Sequence, residues 1–318
     1  MTGATPDSPD ATASSQPAGI RLFTPPPAGF DPVRASDREL LAHGYPARPD
    51  RQRQPELHQH WTAMLSRPMT VITPRFEIMP ERLGGRRLRY ADTVGTGWAG
   101  TSVITPAGGD PVTFVSGQWT VPAVVPPQGD HGLSACATWI GIDGNGEDSP
   151  DILQTGTTQQ ITYGDSQDTF AWFEWFPAAA CTISNLDVSP GDVMYGLICV
   201  YTSTEAAVYL GNMTTGKLVS FVKDGSSEGL SVTGASVEWI LECPQEKDGD
   251  FTILTRFGDV YFDNCIAGTN GSDGLQIVLG GNAFGLTMLG NDDGNIVDIA
   301  APLSLNDRAF KVQYVVPT

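Results

Sequence analysis

After Thr93 the chain shows no stretch of helical apolar periodicity. Short runs rich in Val, Ile, Thr and aromatic residues alternate instead with Gly, Pro, Asn and Asp clusters. Runs at 112–121, 137–142, 170–176, 193–202, 206–210, 218–223, 236–243, 251–262 and 310–316 read as strands. Parallel neighbours would need helical crossovers, so this pattern predicts an all-β sandwich of two antiparallel sheets packed face to face. Residues 93–318 are long enough to form it as one domain.

The region before it has a different texture. Residues 1–19 are Ser, Thr, Ala, Pro and Asp with almost nothing to bury, which predicts a disordered leader. From residue 20 to 92 a partly helical N-terminal extension is expected. Ser36 to Glu39 has capping-box spacing ahead of Leu40 and Leu41, and Gly44 can end that helix. A second helix starts at Pro55 and carries Leu57, Trp61 and Leu65 at helical spacing.

Charge divides at the same boundary. Residues 1–92 hold 12 arginines against 10 acidic residues, whereas 93–318 hold 6 basic against 26 acidic, within a net charge of −18. Phosphate binding needs clustered Lys and Arg, so no nucleic-acid partner is expected. No stretch has the length of a membrane span, and the N-terminus lacks the basic start and apolar run of a secretory signal. Protonating carboxylates relaxes their mutual repulsion, which fits an acidic working environment, although an acidic surface also serves solubility alone. The five cysteines cannot all pair within one chain and lack zinc-site spacing.

Two strands carry candidate chemistry. In 236–242, Val237, Trp239 and Leu241 share one face, expected to be the core, and Glu238, Ile240 and Glu242 share the other. In 171–176, Phe173 and Trp175 fill one face while Trp172, Glu174 and Phe176 fill the opposite one. Aromatics beside a carboxylate on the outer face suggest a binding cleft, although a strand covered on both sides reads the same way.

Four blocks, Ala137 to Gly144, Asp151 to Gly156, Ala171 to Pro177 and Ser236 to Glu242, resemble in order and spacing those of the glutamic peptidase (eqolisin) family. The resemblance runs from about Trp98 to the C-terminal strand. It implies a concanavalin-like sandwich with the cleft on one concave face, and a monomeric enzyme that hydrolyses polypeptides without a cofactor or metal. By motif, the catalytic glutamine falls on Gln154 and the catalytic glutamate on Glu242, with Trp139, Asp143, Trp172 and Glu174 lining the cleft. Thr157, Thr158 and Phe170 stand where the family often has acidic residues. Secretion is implied as well, in contrast to the absence of a visible signal peptide.

The chemistry of such a pair is coherent. Amide hydrolysis needs a base for water, a donor for the oxyanion and an acid for the leaving nitrogen. A glutamate supplies the first and third, and a glutamine amide donates at any acidity because it does not titrate. Activity is therefore expected to be highest in acid.

Rival chemistries have less support. His131 is the only histidine after Thr93 and no Gly-x-Ser-x-Gly elbow is present, which argues against a serine or cysteine triad. His58 and His60 point apart on a helix, and Asp143, Asn145, Glu147 and Asp148 miss calcium-loop spacing. A glycoside hydrolase using Glu174 and Glu242, with Trp172 as a stacking platform, remains an alternative, as does a carbohydrate-binding or otherwise non-catalytic relative. For residues 20–92 two readings stay open: a prosegment cut near Arg86 to Tyr90, drawn to the acidic body by its arginines, or a permanent structural extension.

Overall fold

The computed structural model describes residues 16–79, 94–95, 97–105, 108–126, 132–146, 151–162, 166–245, 252–269, 276–277, 283–289, 296–299 and 308–315. Two antiparallel sheets face each other, as the strand pattern predicts. In the first, the order across the sheet is Phe76–Ile78, Cys181–Ile183, Ser166–Phe176, Ile152–Thr162, Ser134–Ile142, Ser236–Glu242, Trp98–Ile104 and Ala283–Leu289. In the second, Lys217–Asp224, Glu205–Asn212, Val193–Thr202, Val112–Thr120, Val260–Thr269 and Phe310–Val315 follow one another.

Alternation builds the core between the sheets. Val237, Trp239 and Leu241 from one sheet meet Val115, Ile198, Val208 and Phe221 from the other, all buried in one apolar cluster. Side chains of this size contribute about 1.5–3 kcal/mol each when fully buried. The Trp239 indole donates to the Ser116 carbonyl at 2.8 Å, so its one polar atom is satisfied inside the core.

Several strands escape the sequence pattern, among them Trp98–Ile104, Ile152–Thr162 and Ala283–Leu289. Ile152–Thr162 is rich in Thr and Gln, and Trp98–Ile104 carries a Gly, a Thr and a Ser among its apolar residues, yet both lie inside the first sheet. The single strand expected over 251–262 divides into Ile253–Leu254, Arg256–Phe257 and Val260–Thr269. Gly258 and Asp259, turn-favouring residues, mark the last break.

The N-terminal extension is woven into both sheets. Ile20–Leu22 pairs antiparallel with Phe221 to Lys223, Thr70–Val71 pairs parallel with Lys217 and Leu218, and Phe76–Ile78 pairs with Cys181–Ile183. Helix α1 (Asp37–Ala42) starts at Ser36 in a complete capping box. Helix α2 (Pro55–Leu65) begins with Pro at its first turn and buries Trp61 and Leu65. Together they cover the outer face of the second sheet, where Tyr195, Leu197 and Tyr209 lie. Of the two leucines that follow the capping box, Leu40 takes the inward position and Leu41 is 51% exposed. Arg86, Arg87, Arg89 and Tyr90, and most of the expected leader, lie outside the described residues.

Candidate active site

The site is assembled by register on the outer face of the first sheet. Antiparallel partners project to the same side, so the pairings define rows that run across the strands. One row reads Ser102, Glu238, Gly141, Gln154, Glu174. The next is Gly100, Ile240, Trp139, Gly156, Trp172, and the third is Trp98, Glu242, Ala137, Thr158, Phe170. Gln154, Glu174, Glu238, Glu242, Trp139 and Trp172 are all fully buried.

Rows decide which carboxylate stands near Gln154. Two strand spacings separate Gln154 from Glu238, about 10 Å between Cα atoms, and the position between them is Gly141. Glu242 lies two rows further along the strands, roughly 16 Å from Gln154 in Cα position. The side chains stand off the same face. Glu238, rather than Glu242, therefore shares the row of Gln154, on the far side of the glycine. Gly141 is also constrained sterically, since a Cβ there would approach Trp139 Cζ3 to 2.9 Å.

Each polar group has a distinct setting. Glu174 Oε2 accepts from Gln154 Nε2 at 2.6 Å. This contact turns the amide nitrogen toward Glu174 and leaves its second N–H for another acceptor. Glu238 Oε1 accepts from Ser102 Oγ at 3.1 Å. Glu238 Oε2 and Gln154 Oε1 are buried with no hydrogen-bond partner among the described residues. Such atoms are uncommon in folded proteins and call for an explanation.

Burial pushes the Glu238 carboxyl well above the usual range. The Ser236 hydroxyl opposes that shift, the nearby Asp143 charge adds to it, and the Ser102 hydroxyl opposes it. A raised carboxyl pKa in a buried site is a recurrent property of catalytic groups.

Glu242 has a different environment. Trp98 Nε1 donates to its Oε1 at 3.1 Å and Trp139 Nε1 to its Oε2 at 2.8 Å. The two indoles meet edge to face with centroids 4.9 Å apart. Glu242 thus clamps the aromatic pair that walls the site, each oxygen receiving one indole N–H.

Asp143 has a setting of its own. It follows the strand at φ 70°, in the left-handed region, and is buried. Its oxygens accept from Thr233 N, Thr233 Oγ1, Gly234 N and Ala235 N at 2.6–3.2 Å. The carboxylate braces the lead-in to the Glu238 strand. Burial raises its pKa, against the pull of these hydrogen bonds.

Trp139 and Trp172 occupy the row between Glu238 and Glu242, within an apolar cluster that includes Trp98, Ile152 and Ile240. Glu238, Ser102, Trp98 and Gly141 are the site members that the motifs do not single out. The shared face of Glu238 and Glu242 is legible in the sequence. The register against the Gln154 strand is not.

Among the described residues no group of three or more His, Cys, Asp or Glu is placed to hold a metal ion. His60 belongs elsewhere, with its Nε2 3.1 Å from Ser116 Oγ under helix α2. His131, Glu147 and Asp148 lie outside the described residues.

Comparison with known proteins supplies the family. Aspergillopepsin-2 of Aspergillus niger is 32% identical over 194 residues, covering 55% of this chain and 65% of that protein's own length. Scytalidopepsin B of Scytalidium lignicola is 30% identical over 208 residues, covering 63% of this chain and 73% of the relative. A crystal structure of scytalido-glutamic peptidase with a transition state analog inhibitor superposes with a TM-score of 0.57 at 25% identity, covering 69% of this chain and 98% of that one. Residues 96–297 match the Peptidase A4 family, and with that match spanning more than half of its length, the chain belongs to this family.

Proposed function

We propose that the protein is an acid-acting glutamic endopeptidase in which Gln154 and Glu238 form the reacting pair. The observation that carries this reading is the row itself: an amide and a carboxylate on either side of Gly141, each with a buried oxygen lacking a partner among the described residues. This revises the motif-based assignment of the base to Glu242, whose two oxygens are engaged by indoles.

In this reading Glu238 takes a proton from water as the water oxygen attacks the scissile carbonyl carbon. The second N–H of Gln154 donates to the developing oxyanion, held in place by Glu174. Glu238 then returns the proton to the leaving nitrogen as the C–N bond breaks. Trp139 and Trp172 shape the apolar wall for the polypeptide, Glu242 positions Trp98 and Trp139, and Asp143 positions the Glu238 strand.

The amide donor does not titrate, so acid leaves it intact. The low-pH limb of activity reports ionisation of Glu238. A two-carboxylate glycosidase gives Gln154 no necessary role, so digestion of a denatured protein by wild type, Gln154→Ala and Glu238→Gln separates the classes. Loss of proteolysis in both variants is expected. Retained proteolysis in either one overturns the pairing.

Residues 20–79 are assigned here as a permanent part of the enzyme, supported by their strands in both sheets and the burial of Leu40, Trp61 and Leu65. A cut near Arg86 to Tyr90 then leaves this part attached without a covalent link. Incubation at acidic pH, followed by mass measurement and native gel filtration, tests it: co-elution of the two pieces is expected, and separation refutes the assignment.

A further inference from the structure

Cys136 and Cys243 are both free thiols, both buried, and both on the core side of the first sheet, opposite the Gln154 row. Their strands pair antiparallel, with Glu242 opposite Ala137. The next position along that register sets Cys243 opposite Cys136.

Hydrogen bonding defines which kind of opposition this is. In an antiparallel ladder, directly opposed residues alternate between hydrogen-bonded and non-hydrogen-bonded pairs, and Cα atoms come closest in the second kind, about 4.5 Å. Asp143 N donates to Ser236 O at 2.9 Å, which makes that pair the bonded kind. Stepping by twos, Glu238 with Gly141, Ile240 with Trp139, and Glu242 with Ala137 are bonded, so Cys243 with Cys136 is not. Independently, Cys243 N donates away from this partner, to Gly97 O at 2.8 Å.

A disulfide requires Cα atoms roughly 4.4–6.8 Å apart, and the non-bonded pair lies inside that window. The other three cysteines have other neighbours. Cys181 faces Ile78 and Phe173, Cys199 faces Phe114 and Ala207, and Cys265 sits in the irregular stretch between Asp263 and Ile266.

We propose that Cys136 and Cys243 are a cross-linking site, forming a cross-strand disulfide when the chain folds in the presence of a disulfide oxidant. What each thiol gives up is small: Cys243 Sγ points to Thr252 O at 3.2 Å, and Cys136 Sγ to Gln159 Oε1 at 3.8 Å. Burial pushes both thiols up to about 12, so the buried pair holds little thiolate and the bond forms during folding rather than after closure.

With glutathione disulfide as oxidant, the Cys243 thiolate displaces one glutathione thiolate and becomes a mixed disulfide. The Cys136 thiolate then attacks the Cys243 sulfur and displaces the second. The two cysteines lose two electrons and two protons, and one glutathione disulfide becomes two glutathiones. The product ties the strand carrying Glu238 and Glu242 to the central strand beside Gln154.

Refolding the full chain in a glutathione redox buffer, alkylating under denaturing conditions and digesting in acid for mass spectrometry tests this. A peptide pair linking Cys136 to Cys243 is expected. Both cysteines alkylated, or either one linked elsewhere, overturns the proposal. As a second readout, the oxidised chain should melt higher than the reduced chain by on the order of 10 °C, because the bond closes a long loop. Cys243→Ser should erase that difference, and its persistence in the variant counts equally against the pairing.

Discussion

The two sheets each have an outer face, and the two faces differ in what their buried polar groups can do. On the second sheet, Tyr195 and Tyr209 are covered by the N-terminal extension, and their hydroxyls lack partners among the described residues. A cavity of about 550 Å³ in that seam is lined by Phe30, Tyr45, Met64, Met69, Tyr195 and Tyr209. On the first sheet the unpartnered atoms include those of Glu238 and Gln154. An orphan polar atom thus occurs on both faces and does not by itself mark chemistry. The first sheet adds a titratable acid and a non-titrating donor in one row, with a glycine between them. Burial pushes the Tyr195 and Tyr209 phenols well above their ordinary value, which holds them neutral, and it pushes the Glu238 carboxyl up as well.

The largest expected effect separates the two glutamates of the site face. Glu238→Gln keeps size and hydrogen bonding but removes the base, and should lower kcat about 10²–10⁴-fold or more. Glu242→Gln should act mainly on stability, by about 1–3 kcal/mol, because it weakens the charge-assisted bonds to Trp98 and Trp139. Measuring kcat and urea midpoints for both variants distinguishes the base from the clamp. If Glu242→Gln abolishes turnover in a normally stable protein while Glu238→Gln does not, the assignment by rows fails.

On the opposite face, Trp61→Ala should cost about 3–5 kcal/mol of stability, since Trp61 is buried and its indole donates to Pro46 O at 3.0 Å. Turnover per folded molecule should stay unchanged. A kcat defect in the folded fraction would mean that the two faces are coupled.

His60 links that face to acidity. It is largely buried, close to Arg308, and its pKa is pushed down to about 4, chiefly by burial. The unfolded chain binds this proton near 6.5, so as pH falls from 6.5 to 4 the unfolded state gains protons that the folded state refuses. The His60 contribution is full above 6.5, declines across that window by up to about 3 kcal/mol and changes no further below it. Arg308, paired with Glu56 of α2 at 2.7 Å, is the charged group facing it. His60→Gln keeps a partner for Ser116 and should flatten the slope of stability between pH 6.5 and 4. An unaltered slope assigns the acid sensitivity to other groups.

The smallest effects tune Glu238 itself. Asp143→Asn removes a like charge and should move the acid limb of kcat/KM down, whereas Ser102→Ala removes a hydrogen bond to the ionised form and should move it up. Shifts of the same sign in both variants would disconnect the limb from Glu238.

Much of this architecture is legible in local sequence. The capping box at Ser36, Pro55 at the start of α2, and the alternation in 236–242 are local patterns, and the structure contains each of them. The strand Ile152–Thr162 is not legible, because its Gly and three Gln interrupt the apolar alternation that would distinguish it from a loop. The stabilisation of that strand comes from neighbours on both sides.

The same limit applies to the site. Side-chain alternation along one strand is a property of the chain alone, so the sequence determined that Glu238 and Glu242 share a face and that Trp172 and Glu174 share another. Which of the two glutamates faces Gln154 depends on register across three strands. A shift by four residues would preserve every inward and outward assignment and bring Glu242 into the row of Gln154. That choice was made only by the tertiary structure, through Gly141 pairing with both Gln154 and Glu238 and through the two indoles that take up Glu242.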